Sequence, residues 1–225
     1  MTTGIDTAAL YRLQTWLSPS FPVGAYTFSH GLEYAIDRHW ITDVESAERW
    51  LSDLLRFGTG HADLVFVAAG WDADDPEALS LAVVRALAMA ASKELLLEST
   101  AQGAAFVQAV AASWPTEVCD YFMGLRQKPY SVAVGAIAAA HGVPRHGTLH
   151  AYAHAFVSNL VSALLRAMPL GQTDGQRLIA ALEPVVEEAV NCAARTPLSE
   201  VAASTPVSDV ASMRHENQYT RLFRS

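Results

Sequence analysis

The chain has 225 residues, 51% of them hydrophobic and 17% charged, so a sizeable core can form and global disorder is excluded. Its formal net charge of −8 argues against a nucleic-acid binder, which needs a basic face to neutralise phosphates. The length fits one large domain.

Helical signals dominate, and no alternating strand segment stands out. Asp6 or Thr7 can cap a first helix that carries Leu10, Leu13, Trp16 and Leu17 on one face. The run from Ser18 to Gly24, with Pro19 and Pro22, breaks it, and a short helix is expected from Tyr26 to His39. Asp43 caps the next helix, with Val44, Ala47, Trp50, Leu51, Leu54 and Leu55 at helical spacing and Gly58 and Gly60 at its end. An apolar helix from His61 to Trp71 leads into the acidic loop Asp72–Asp75. Asp75-Pro76 then supplies an N-cap followed by proline at the first helical position. That helix is expected to reach about Ala91, and a further one runs from Ser92-Lys93-Glu94 to Trp114. Two short helices, Thr116–Arg126 and Tyr130–His141, precede the Gly142-Val143-Pro144 break.

Thr148 is expected to cap a long helix to Met168, and Asp174 to start another that reaches Arg195 and kinks at Pro184. The stretch from His146 to Leu165 lacks Asp, Glu, Lys and Arg, but its histidines, serines and Asn159 make it too polar for lipid. The reading is an all-α single domain of nine or ten helices over residues 1–195. No membrane association is expected.

Residues 196–225 read as a docking tail. Thr196-Pro197 and Thr205-Pro206 interrupt regular structure, and the last thirteen residues bring Arg214, His215, Arg221 and Arg224 among Tyr219, Leu222 and Phe223. Arginine and aromatic side chains carry most binding energy at protein interfaces. Three arginines against the single Glu216 on an acidic body suggest an acidic partner surface. The alternative is that this segment packs back on its own domain.

Cys119 and Cys192 are the only cysteines, without a CxxC, so neither a thiolate cluster nor a redox motif is supported. Met1 to Thr7 does not resemble a signal peptide, and a cytoplasmic location is expected. The sequence has no phosphate-binding loop, no GxSxG and no HExxH. His150 and His154 lie four apart on the long helix, where two imidazoles can share a metal ion. Ser158, Ser162 and Arg166 continue that row. With no third ligand obvious nearby, a solvated or helix-facing stripe is favoured over a metal site, with a polar seam lining a passage or partner interface as the intermediate reading. His141 and His146 flank the Gly-Pro turn and could approach, but no metal site is assigned. Ser29, His30 and Glu33 invite a hydrolase reading, but adjacency in sequence supplies neither a positioned base nor an oxyanion hole.

The run Leu17-Ser18-Pro19-Ser20-Phe21-Pro22-Val23-Gly24-Ala25-Tyr26, followed by Ser29-His30-Gly31-Leu32-Glu33, resembles the N-terminal signature of urease accessory protein F (UreF). So do Val157–Ala163 with Pro169–Gln176, and the closing Met213–Ser225. The resemblance spans nearly the whole chain. It implies a non-enzymatic, dimeric, all-α chaperone of nickel insertion into urease. Such a chaperone bridges urease accessory protein D (H in some species) and the GTPase urease accessory protein G, and acts on the urease apoprotein. It further implies partner contacts through the tail and control of GTP hydrolysis by the GTPase, with Arg166 as the candidate for that contact. Phe21, Tyr26, His30 and Glu33 of the N-terminal signature join Arg214, His215, Tyr219, Arg221, Leu222, Phe223 and Arg224 as expected partner-binding residues. No cofactor is expected, although nickel could pass along a route lined by His150, His154, Ser158 and Ser162. The competing reading is a protein that holds nickel itself through His150 and His154.

Overall fold

A computed structural model describes residues 6–225, and among them there are eleven α-helices and no strand. In chain order they are α1 (Thr7–Trp16), α2 (Leu32–Asp37), α3 (Val44–Phe57), α4 (Thr59–Asp72), α5 (Pro76–Ala88) and α6 (Lys93–Ser113). They continue as α7 (Glu117–Gly124), α8 (Tyr130–Ala140), α9 (Arg145–Ala167), α10 (Gln172–Ala193) and α11 (Pro206–His215). The all-α expectation therefore holds. The eleventh helix lies in the segment read as a tail.

The core is built around α8, whose residues from Ser131 to Ala138 are all buried. A helix apolar on every side belongs at the centre of a bundle. α8 packs most closely on α4, which is also largely apolar. Small residues permit the approach: a Cβ on Gly135 would overlap the Val67 carbonyl, and one on Gly70 would lie 2.5 Å from the Val132 carbonyl. Helices α3, α6, α9 and α10 surround this pair.

Local rules set most helix starts. Asp43 accepts from the Ser46 N–H at 2.8 Å, Asp75 from the Ala78 N–H at 2.8 Å, and Ser92 from the Leu95 N–H at 3.1 Å. Three expectations are corrected. The Tyr26–His39 helix is replaced by one 3-10 turn (Ala25–Thr27) and the short α2, because His30 (φ 58°) and Gly31 (φ 81°) are left-handed. Thr148 does not cap α9, which starts after Pro144; the Thr148 hydroxyl instead donates to the Pro144 carbonyl at 3.1 Å inside the first turn. Asp174 sits in the first turn of α10 rather than ahead of it, accepting from the Gly171 N–H at 3.1 Å.

After α10 the chain forms a 3-10 turn at Leu198–Glu200 and is pinned where the Ser204 N–H donates to the Phe57 carbonyl at 2.6 Å. α11 then packs on α2. Both cysteines are free thiols, Cys119 buried and Cys192 exposed. Among the described residues no helix is long and apolar enough to cross a membrane.

Candidate functional site

Three carboxylates organise the surface where the two ends of the sequence meet. Glu33 lies in the first turn of α2; Glu94 and Glu98 lie one turn apart on α6, both buried. Glu33 accepts from the Leu222 N–H at 2.6 Å and the Phe223 N–H at 3.0 Å, and its Oε2 lies 2.9 Å from His215 Nε2. The other ring nitrogen of His215 lies 2.7 Å from Glu94 Oε2, and Arg221 Nη1 donates to Glu94 Oε1 at 2.8 Å. Glu98 accepts from the Ser225 hydroxyl at 2.8 Å and lies 3.3 Å from His30 Nδ1, while His30 Nε2 meets the Thr59 hydroxyl at 2.6 Å. The Ser225 main-chain oxygen accepts from the Ser29 N–H at 2.7 Å and from the Ser29 hydroxyl. Arg224 N–H donates to the Thr27 carbonyl at 2.8 Å.

Backbone geometry makes this possible. Ser29 can offer both donors to Ser225 because the chain turns left-handed directly after it, at His30 and Gly31. Gly31 also lies against α11, where a Cβ would sit 2.8 Å from the Ser212 nitrogen. Burial works to lower the pKa of His30, but the Glu98 carboxylate and its hydrogen bond reverse this, and the net value is raised above 6.5.

The tail residues divide into two sets. His215, Phe223 and Ser225 are buried, and Arg221 is half tied down. Tyr219 (104% exposed) and Leu222 (64%) point outward, as does Arg214. The guanidinium of Arg166 is sandwiched, its carbon 3.5 Å from the Tyr26 ring centroid and 4.4 Å from that of Phe223. Its Nη2 is buried without a hydrogen-bond partner among the described residues. Phe21 turns inward onto Phe106, with ring centroids 5.7 Å apart.

Ser29, His30 and Glu33 form no nucleophile–base–acid relay. Both ring nitrogens of His30 are engaged elsewhere, the Ser29 hydroxyl is directed at Ser225, and Glu33 faces the tail.

His150, His154, Ser158 and Ser162 all line an open cleft of 2180 Å³, whose walls include α9 and α10 and whose lining extends to His30 and Glu98. His154 Nε2 lies 3.3 Å from the Ser158 hydroxyl, whereas His150 Nε2 lies 3.0 Å from Glu187 Oε2 of α10. The imidazole of His150 is held below its ordinary pKa, chiefly by burial. Deeper in the lining, Asp63 accepts from the Tyr152 hydroxyl at 2.9 Å, and burial pushes its carboxyl above the usual range.

Sequence reasoning missed Glu94, Glu98, Asp63 and Glu187. A signal for two of them was present: Glu94, Glu98 and Gln102 recur every four residues and so share one face of α6, and that row is buried.

These features define a class: an all-α protein whose terminal segment is clamped by carboxylates beside an open cleft. The family profile UreF matches residues 41–183. The chain is 47% identical over 225 residues to a protein named urease accessory protein UreF from Rhodopseudomonas palustris (strain BisB5), covering 98% of this chain and 93% of that protein. It is 45% identical to the like-named protein of Bradyrhizobium diazoefficiens, again covering 98% of this chain and 93% of the relative. The chain belongs to the UreF family of urease accessory proteins.

Proposed function

We propose that the chain is a non-enzymatic, cytoplasmic adaptor of urease maturation. In this reading it bridges urease accessory protein D (or H) and the GTPase urease accessory protein G while nickel is delivered to the urease apoprotein, and it works as a homodimer. The observation that carries the reading, beyond family membership, is the outward set of the C-terminal segment. Tyr219 and Leu222 are exposed on a stretch whose flanking residues are held by Glu33, Glu94 and Glu98. Exposed apolar anchors held rigidly on an accessory protein fit a docking surface for the D/H partner.

Arg166 suits a GTPase contact less directly, because both faces of its guanidinium are already covered by Tyr26 and Phe223. Its part in that contact would run through the tail it supports. The cleft wall of His150, His154, Ser158 and Ser162 supports a hydrated route for nickel.

The test is size-exclusion chromatography with light scattering, on the chain alone and with the D/H partner. Deleting Arg214–Ser225 would strip three carboxylates of their partners, so the better variant is Tyr219→Ala with Leu222→Ala. Loss of one aromatic anchor costs about 2 kcal/mol or more, roughly 30-fold in affinity. The double variant is expected to keep the wild-type circular dichroism spectrum and to lose the complex. A variant that binds the D/H partner as tightly as wild type would overturn the docking assignment.

A further inference from the structure

Because α9 starts at Arg145 and not at Thr148, His146 falls within its first turn, one helical turn before His150. The two imidazoles therefore share a face, with ring centroids 4.7 Å apart. Helix α10 packs along α9 and brings Glu187 to the same place, its Oε2 3.0 Å from His150 Nε2. One ligand atom from each of His146, His150 and Glu187 lies within 4.8 Å of the others. All three line the open cleft.

Two features separate this cluster from an ordinary surface ion pair. The second oxygen of Glu187 accepts from Asn191 Nδ2 at 2.7 Å, which fixes the carboxylate while leaving Oε2 turned toward the histidines. The three side chains also stand on two packed helices, not on loops, so their spacing is set by the fold. Metal–nitrogen and metal–oxygen bonds near 2.1 Å place neighbouring ligand atoms about 3.3 Å apart. The 3.0 Å contact between His150 and Glu187 is already close to that value. His146 and Glu187 are exposed, so small rotations can close the remainder.

We propose that His146, His150 and Glu187 form a binding site for one divalent first-row transition-metal ion, with its remaining coordination positions open to the cleft. Two imidazoles and one carboxylate suit zinc, nickel, copper or iron; calcium and magnesium call for a larger set of oxygens. The site stands on geometry alone and does not depend on the adaptor reading. The pairing suggested by sequence, His150 with His154, lacked a third ligand. Glu187 is that ligand, with His146 in place of His154.

The test is calorimetric titration of the chelator-stripped full chain with Ni²⁺ and, separately, Zn²⁺, followed by the visible spectrum with Co²⁺. One ion per chain is expected. His146→Ala, His150→Ala and Glu187→Gln should each weaken binding at least tenfold and change the cobalt spectrum, whereas Cys192→Ser, the exposed thiol further along α10, should change neither. Asn191→Ala should weaken binding by about tenfold, as loss of an orienting partner does. No binding, or binding insensitive to all three ligand variants while circular dichroism shows them folded, would overturn the site. Neither outcome bears on the complex with the D/H partner, which is scored by light scattering.

Discussion

Replacing Glu33 by alanine tests the clamp directly. The substitution removes the acceptor for the Leu222 and Phe223 N–H groups and the oxygen 2.9 Å from His215 Nε2. Leu222 is largely exposed, so its freed N–H can turn to water and contributes little. The His215 side chain is fully buried and Phe223 is 4% exposed, so their freed donors cannot. Hydrogen bonds to a charged group contribute about 1.5–3 kcal/mol each, and removing one member of a buried pair costs about 3–5 kcal/mol. The expected loss is therefore about 3–5 kcal/mol, confined to opening of the terminal segment. That corresponds to roughly 10²- to 5 × 10³-fold faster exchange of the amides held in the clamp. Hydrogen exchange read by mass spectrometry on peptides covering residues 213–225 measures this, with α8 peptides as the internal control. Glu45→Ala, which removes an exposed pair with Arg49, should leave both regions unchanged. If the Glu33 variant exchanges in the terminal segment as slowly as wild type, Glu33 does not hold the tail and the reasoning fails.

Two further outcomes are expected. Gly31→Ala forces a side chain into a left-handed backbone with φ 81° and within 2.8 Å of Ser212, so it should destabilise the fold by about 1–3 kcal/mol and lower the melting temperature; an unchanged melt would show that α11 yields freely. The raised pKa of His30 gives a pH dependence of definite sign. Its contribution is complete below the unfolded value of 6.5 and is lost as pH rises through the folded value. The melting-temperature gap between wild type and His30→Gln should thus be wider at about pH 6 than at alkaline pH, narrowing as pH rises through the folded value. A gap that is flat or widens with pH would contradict the Glu98 pairing.

Much of the fold was legible because much of it is decided locally. Asp43, Asp75 and Ser92 cap their helices through bonds to residues three positions on, and the proline and glycine breaks act on their own neighbours. The failures came where a distant contact overrides the local rule or where two local rules compete. The stretch from Tyr26 to His39 has helical composition, yet Ser29 is drawn into two bonds with Ser225, which is 196 positions away. Thr148 is a good capping residue by type, but Pro144 starts the helix first and leaves its hydroxyl inside. The site was legible as a set of residues and not as a set of pairs. Sequence singled out Glu33, His215 and Arg221, but their meeting depends on Glu94, 121 positions before His215. In the same way, Glu187 reaches His150 only once α10 folds back along α9.

The clamp also changes how the terminal segment can serve a partner. A segment that orders only on binding spends roughly 2–5 kcal/mol of the contact energy on ordering itself. Here His215, Phe223 and Ser225 are buried before any partner arrives, and Arg166 lies stacked between Tyr26 and Phe223. Tyr219 and Leu222 are then presented on an ordered surface, so their contact energy is available for affinity. The division of labour between the two sets follows from this. The acids on α2 and α6 set how well the segment is ordered, while the outward side chains set what it recognises. The carboxylates can therefore govern docking without touching the docked protein. An acidic body that carries basic and apolar terminal residues is the charge arrangement such a clamp requires, because the body's carboxylates supply the acceptors that hold those residues in place.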